Sequence, residues 1–148
     1  ITMKNRLLLL IAILLIALLS ACGGAGGAAA PAAGNDEAIE IDLSTLPEVI
    51  DAQTVASIKD MDDVVLIDVR EQFEYDDGHI PGITLIPMNS IPSRLNEIPT
   101  DKTVVLTCRS GNRSGQVFNY LQQQGFTNIH NMEGGIVAWQ AAGLPVEK

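Results

Sequence analysis

From residue 48 to residue 148, short β-branched and aliphatic runs alternate with stretches whose apolar positions recur at helical spacing. Val49-Ile50 is a strand candidate, and Asp51 is placed to cap a helix carrying Val55 and Ile58. Val64-Val65-Leu66-Ile67 is continuously apolar, the mark of a strand buried on both faces. Gln72 to Tyr75 predicts a turn of helix before Gly78, and Thr84-Leu85-Ile86 a strand that Pro87 stops. A short helix is expected between Pro92 and Pro99, then a strand over Val104–Thr107. Val117 and Leu121 stand four apart with Phe118 beside them, predicting a helix of about three turns with Gly125 just past its end. Asn128 to Asn131 predicts another strand, and Ile136, Ala138 and Trp139 a last helix that ends at Gly143. This alternation predicts an α/β fold with a mostly parallel sheet.

The pattern before residue 48 is different. Met3-Lys4-Asn5-Arg6 is a short basic opening behind Ile1 and Thr2, and Leu7 to Leu19 is an unbroken apolar run of thirteen. A spanning helix wants about twenty such residues, so the run has the length of a signal-peptide core. Residues 22–36 contain a Gly/Ala tract with no core-forming residue. Thirteen flexible residues span roughly 20 Å, enough to hold a small domain clear of a bilayer. Residues 36–47 are acidic with Ile39, Ile41, Leu43 and Leu46 interspersed, a candidate lead-in that packs on the domain.

Charge narrows the partners. After Cys22, seven basic residues face eighteen acidic ones, a net of −11. Such a surface disfavours nucleic acid and anionic headgroups. An anionic substrate then needs a local positive site, and only residues 108–114 concentrate one.

That stretch, Cys108-Arg109-Ser110-Gly111-Asn112-Arg113-Ser114, is a strand-to-helix turn with a cysteine at its first position. The first four N–H groups of a helix lack intrahelical partners and carry the positive end of its dipole. A glycine-containing loop feeding them can curl its amides around an anion. A free thiol with pKa near 8.5 is only about 3% ionised at pH 7, and a fall of roughly two units makes it mostly thiolate. Arg109 and Arg113 favour that fall. The plainer reading is a buried structural cysteine, against which stand two arginines and several small polar neighbours.

The heptapeptide resembles the active-site loop of rhodanese-type sulfurtransferases. Leu66-Ile67-Asp68-Val69-Arg70-Glu71, Gly78-His79-Ile80-Pro81-Gly82 and Glu133-Gly134-Gly135-Ile136-Val137-Ala138-Trp139 resemble the same family, in its order. The resemblance covers residues 48–148 and implies a rhodanese-like three-layer α/β/α domain with a mostly parallel central sheet. It implies Cys108 as the nucleophile that carries a persulfide. Arg109, Ser110, Gly111, Asn112, Arg113 and Ser114 would bind the substrate, a small anionic sulfur donor such as thiosulfate. The acceptor would be cyanide, a thiol or a protein thiol. No metal or organic cofactor is implied, and a monomer is expected. Leu19-Ser20-Ala21-Cys22 resembles the lipobox of bacterial lipoproteins, which implies a signal peptide over residues 1–21 and lipidation of Cys22. The expected product is extracytoplasmic and anchored to a bacterial membrane. An uncleaved N-terminal anchor helix is the alternative.

Other residues invite functional readings. Asp68 and Glu71 could act as an acid/base pair; the structural alternative is a corner in which Arg70 ties the strand end to acids such as Glu74. His79 could serve Cys108 as a base, although in the resembled family the histidine belongs to a turn. His130 is expected at the surface or a strand end, Trp139 in the core, and Gly134-Gly135 at a helix entry. Two rivals share the architecture. A cysteine phosphatase or arsenate reductase resembles Cys-x5-Arg, with arginine at the seventh place. Here the seventh place is Ser114 and Arg113 is sixth, so the loop is shorter by one residue. A membrane-tethered sulfur-carrier or binding module without independent turnover is the other.

Overall fold

The computed structural model describes residues 41–148. The signal peptide expected over residues 1–21, Cys22 and the linker over 22–36 lie outside the described residues. Among the described residues, 41–148, no helix is long and apolar enough to cross a membrane.

Strands β1 (Val49–Ile50), β2 (Val64–Asp68), β3 (Thr84–Leu85), β4 (Thr103–Thr107) and β5 (Ile129–Met132) form one sheet in the order β1-β5-β4-β2-β3. Every pairing is parallel. β2 and β4 lie side by side from Val64 opposite Thr103 to Asp68 opposite Thr107. The continuous apolar runs follow from this placement, because a central parallel strand is covered on both faces.

Helices α1 (Ala52–Ile58), α2 (Gln72–Asp77), α3 (Asn112–Gln123) and α4 (Gly135–Ala141) complete the domain. Side-chain alternation along the strands divides the interior into two layers. Leu66 and Val105 join Val55 and Ile58 of α1 and Ile136 and Trp139 of α4 on one face. Ile67, Val104 and Leu106 join Val117, Phe118 and Leu121 of α3 on the other. The result is a three-layer α/β/α arrangement. Asp51 caps α1 as expected, its carboxylate accepting the Thr54 N–H at 2.8 Å. Ile41, Leu43 and Leu46 of the lead-in pack on the α1–α4 face.

Two expectations are corrected. No α-helix forms between Pro92 and Pro99; two 3-10 turns, Met88–Ser93 and Leu95–Glu97, cover the face beside α3. Pro92 lies inside the first and has no N–H to give an α-helical ladder. Nor is His130 at the surface. It sits within β5, 8% exposed, with Nδ1 donating to the Pro47 carbonyl at 2.7 Å.

Candidate active site

Cys108 follows the last residue of β4, at the carboxyl edge of the sheet, where parallel α/β folds bind ligands. α3 begins at Asn112, inside the heptapeptide, so its first turn is part of the loop. Gly111 caps it with φ +90°, a conformation L side chains rarely adopt, and a Cβ there would stand 3.1 Å from the Gly134 nitrogen. The chain therefore doubles back over the cysteine within three residues.

Cys108 is a free thiol and only 1% exposed. Its Sγ accepts the Gly111 N–H at 3.2 Å, and the Ser114 hydroxyl lies 3.4 Å away. Burial pushes the thiol up. Hydrogen bonds from the Ser114 hydroxyl and from the N–H groups of Ser114, Ser110 and Gly111 outweigh it, leaving the pKa below its ordinary value. Amides and a hydroxyl thus perform most of what the sequence assigned to arginines.

The two arginines divide. Arg113 forks onto Glu74 of α2, with both N···O distances 2.7 Å. That bidentate bond, with smaller help from the Glu71 N–H, holds the Glu74 carboxyl down at about 2 against partial burial. Arg109 is exposed, and its guanidinium has no hydrogen-bond or carboxylate partner among the described residues. Asn112 and Ser110 are exposed at the loop's outer side.

The loop is held from below by the start of α4. The Ile136 N–H donates to the Cys108 carbonyl at 2.8 Å and the Val137 N–H to the Arg109 carbonyl at 3.2 Å. Gly135, at φ +56°, makes this approach: a Cβ would fall on the Cys108 carbonyl oxygen and 2.7 Å from the Arg109 carbonyl carbon. Asn131 of β5 donates to the Gly111 carbonyl at 3.3 Å.

The remaining candidates are structural. Arg70 and Asp68 form a buried pair at 2.6 Å, and Arg70 also donates to the carbonyls of Glu74 and Gly78. This is the ion-paired corner, except that the Glu74 carboxylate is engaged by Arg113 instead. Asp68 is tied to the Arg70 guanidinium and backbone N–H, so it is a fixed acceptor and not a proton relay. His79 stacks on Tyr75 with ring centres 3.7 Å apart and donates from Nδ1 to the Tyr75 carbonyl. Among the described residues it makes no bond to Cys108.

Residues 51–142 match the family model described as a rhodanese-like domain. The chain belongs to the rhodanese-like family. A sulfurtransferase of Allochromatium vinosum is 45% identical over 98 residues, which cover 66% of this chain and 92% of that protein. A thiosulfate sulfurtransferase of Pseudoalteromonas translucida is 36% identical over 91 residues, 62% of this chain and 86% of that one. A crystal structure of a rhodanese-related protein from Thermoplasma volcanium superposes with a TM-score of 0.62 at 32% identity, over 68% of this chain and 98% of that one. The four rhodanese-like motifs fall where the site needs them. The pairing of Glu74 with Arg113, the role of Asn131 and the depth of the Gly135 contact went unread in the sequence. The Glu71-x-x-Glu74 spacing, a capping box in which the Glu71 N–H meets Glu74 at 3.2 Å, was the available signal for the first.

Glu74 gives this pair a pH signature. Its folded pKa of about 2 lies below the ordinary 4.5. The stability it contributes is therefore complete above about pH 4.5 and is lost as pH falls towards 2. Urea unfolding should find Glu74→Gln less stable than wild type by about 1–2 kcal/mol at pH 7, after solvent screening. The gap should close between pH 4.5 and 2; a gap independent of pH would mean that packing, not the charge pair, carries the effect.

Proposed function

We propose that the protein is a rhodanese-type sulfurtransferase that moves a sulfane sulfur through a Cys108 persulfide, with thiosulfate as donor and cyanide or a thiol as acceptor. The observation that carries this reading is the near-buried Cys108 Sγ, ringed by loop N–H groups and the Ser114 hydroxyl at the sheet's carboxyl edge. Sulfurtransferase relatives at 36% and 45% identity support the class.

In the first half-reaction the Cys108 thiolate attacks the outer sulfur of thiosulfate. The donor's S–S bond breaks and its electron pair leaves with sulfite. The persulfide's terminal sulfur is an anion of single-atom size, and the amides that held the thiolate are placed to hold it. In the second, cyanide or an acceptor thiolate attacks that sulfur and the electron pair returns to Cys108. No proton relay is required, which fits a site where His79 and Asp68 are engaged elsewhere. Because Glu74 neutralises Arg113, Arg109 supplies the free positive charge that captures an anionic donor. Arg113 holds the loop's wall. The short loop favours one sulfur atom over the tetrahedral phosphate of the phosphatase alternative.

Lipid attachment at Cys22 is part of the same proposal. The thirteen-residue apolar run before Leu19-Ser20-Ala21-Cys22 supports it. It would place the domain outside the cytoplasm, held by several acyl chains because a single one anchors only marginally.

Each part has its own measurement. Cys108→Ser should abolish turnover and the mass gain of about 32 Da after thiosulfate treatment, the weight of one persulfide sulfur; full activity in that variant would end the assignment. Arg109→Ala should lower kcat/KM for thiosulfate roughly five- to thirty-fold, the worth of ~1–2 kcal/mol for an exposed charge contact. A neutral sulfane donor should lose less, and high salt should narrow the difference; equal losses for both donors would remove Arg109 from donor capture. Expressed in a bacterium, Cys22→Ser should lose the acyl mass and leave the detergent-soluble membrane fraction, whereas an unchanged fraction would favour an uncleaved anchor.

A further inference from the structure

An open groove of about 830 Å³ runs between α2 and α4 from Arg109, the residue after the nucleophile. Phe73, Glu74 and Asp77 of α2 form one wall, and Ile136 and Val137 of α4 form the other. The Ile136 and Val137 N–H groups hold the carbonyls of Cys108 and Arg109, so this wall is hydrogen-bonded directly to the active-site loop.

Its size exceeds what the donor needs. Thiosulfate, cyanide or free cysteine would leave most of 830 Å³ empty, whereas groups of drug size fill pockets of about 300–1,000 Å³. Its lining mixes charged side chains with exposed apolar ones. Phe73 is 73% exposed and Val137 51%, two of the four large hydrophobic residues so exposed among the described residues. Neighbouring apolar side chains exposed beside a reactive centre mark a contact surface.

Two arginines line the groove, but the buried Arg70 is paired with Asp68, and the lining also carries the carboxylates of Glu74 and Asp77. Glu74 is spent on Arg113. Asp77 has only a 3.8 Å contact with Lys148, both side chains more than three-quarters exposed, and Asp76 beside it accepts from Gln72. A loose surface pair of this kind is worth little and is open to exchange.

We propose that this groove seats the sulfur acceptor, and that the acceptor is a cysteine-bearing segment of a partner protein. A bulky apolar residue next to that cysteine packs against Phe73 and Val137, and a lysine or arginine flanking it meets Asp77. The proposal rests on the sulfurtransferase reading. The partner's thiolate attacks the terminal sulfur of the Cys108 persulfide, the persulfide S–S bond breaks, and its electron pair restores the Cys108 thiolate. The partner leaves with a cysteine persulfide, and no external oxidant or reductant takes part.

The test uses the full chain, loaded with sulfur from thiosulfate, and four acceptors: cyanide, free cysteine, N-acetyl Lys-Phe-Cys-Lys amide and N-acetyl Glu-Phe-Cys-Glu amide. Transfer is followed by the mass of each product. The basic peptide should exceed free cysteine and the acidic peptide by about tenfold or more in kcat/KM. Phe73→Ser should remove most of the advantage over cysteine. Asp77→Lys should narrow or invert the preference between the two peptides. Both side chains are exposed and neither touches the nucleophile, so the cyanide rate should stay within about twofold. Wild-type rates equal for peptides and cysteine would overturn the proposal while leaving the sulfurtransferase reading intact. So would a solution dimer dispersed by Phe73→Ser, which would assign the groove to a second copy. A chain that never gains the persulfide mass would overturn the sulfurtransferase reading, and the docking proposal with it.

Discussion

A sulfur atom shielded from water holds negative charge only where other donors replace the water. Cys108 is 1% exposed, and burial alone would keep it a neutral, inert thiol. Everything around it follows from supplying N–H groups and one hydroxyl within reach of a single atom. The chain must turn inside three residues, hence the left-handed Gly111; the helix must begin within the loop, hence α3 at Asn112. Ser114, one turn into that helix, is fully buried so that its hydroxyl reaches back to the sulfur.

A loop this tight has little packing of its own and is held by its neighbours. From below, Gly135 lets α4 reach the loop's carbonyls at hydrogen-bonding distance. From the side, α2 delivers Glu74 to Arg113 across 39 residues of sequence. α2 is itself fixed by the buried Arg70, whose guanidinium joins Asp68 at the end of β2 to carbonyls at Glu74 and Gly78. The charged corner after β2 thus acts on the site through position. It orients the helix that orients the arginine.

Legibility in the sequence tracked the range of the interaction. The five strands, the cap at Asp51, the core places of Val55, Ile58 and Trp139 and the strand-to-helix turn at Cys108 are local patterns, and all were readable from neighbours in the chain. The partner of Arg113 was not, because an arginine carries no mark of which acid it meets. Charge proximity in sequence suggested that both arginines face the substrate, yet a forked bond to Glu74 orients one of them to the wall. The glycine pair was readable as a helix entry, while its close approach to the loop depends on β4 and β5 being adjacent. The Pro92 segment failed for a local reason: the missing N–H turned an expected helix into two tighter turns.

The short outer strands have a further consequence. β1 and β3, the two edges of the sheet, are two residues long each, while the interior β2 and β4 have five. An edge of that length offers too few free amides and carbonyls to template another chain. Self-association by strand addition is closed to this domain at both ends, and sheet stacking is closed by helices on both faces. Recognition of other molecules then falls to loops and helix surfaces, where partners can be gained or lost by point substitution without disturbing the sheet.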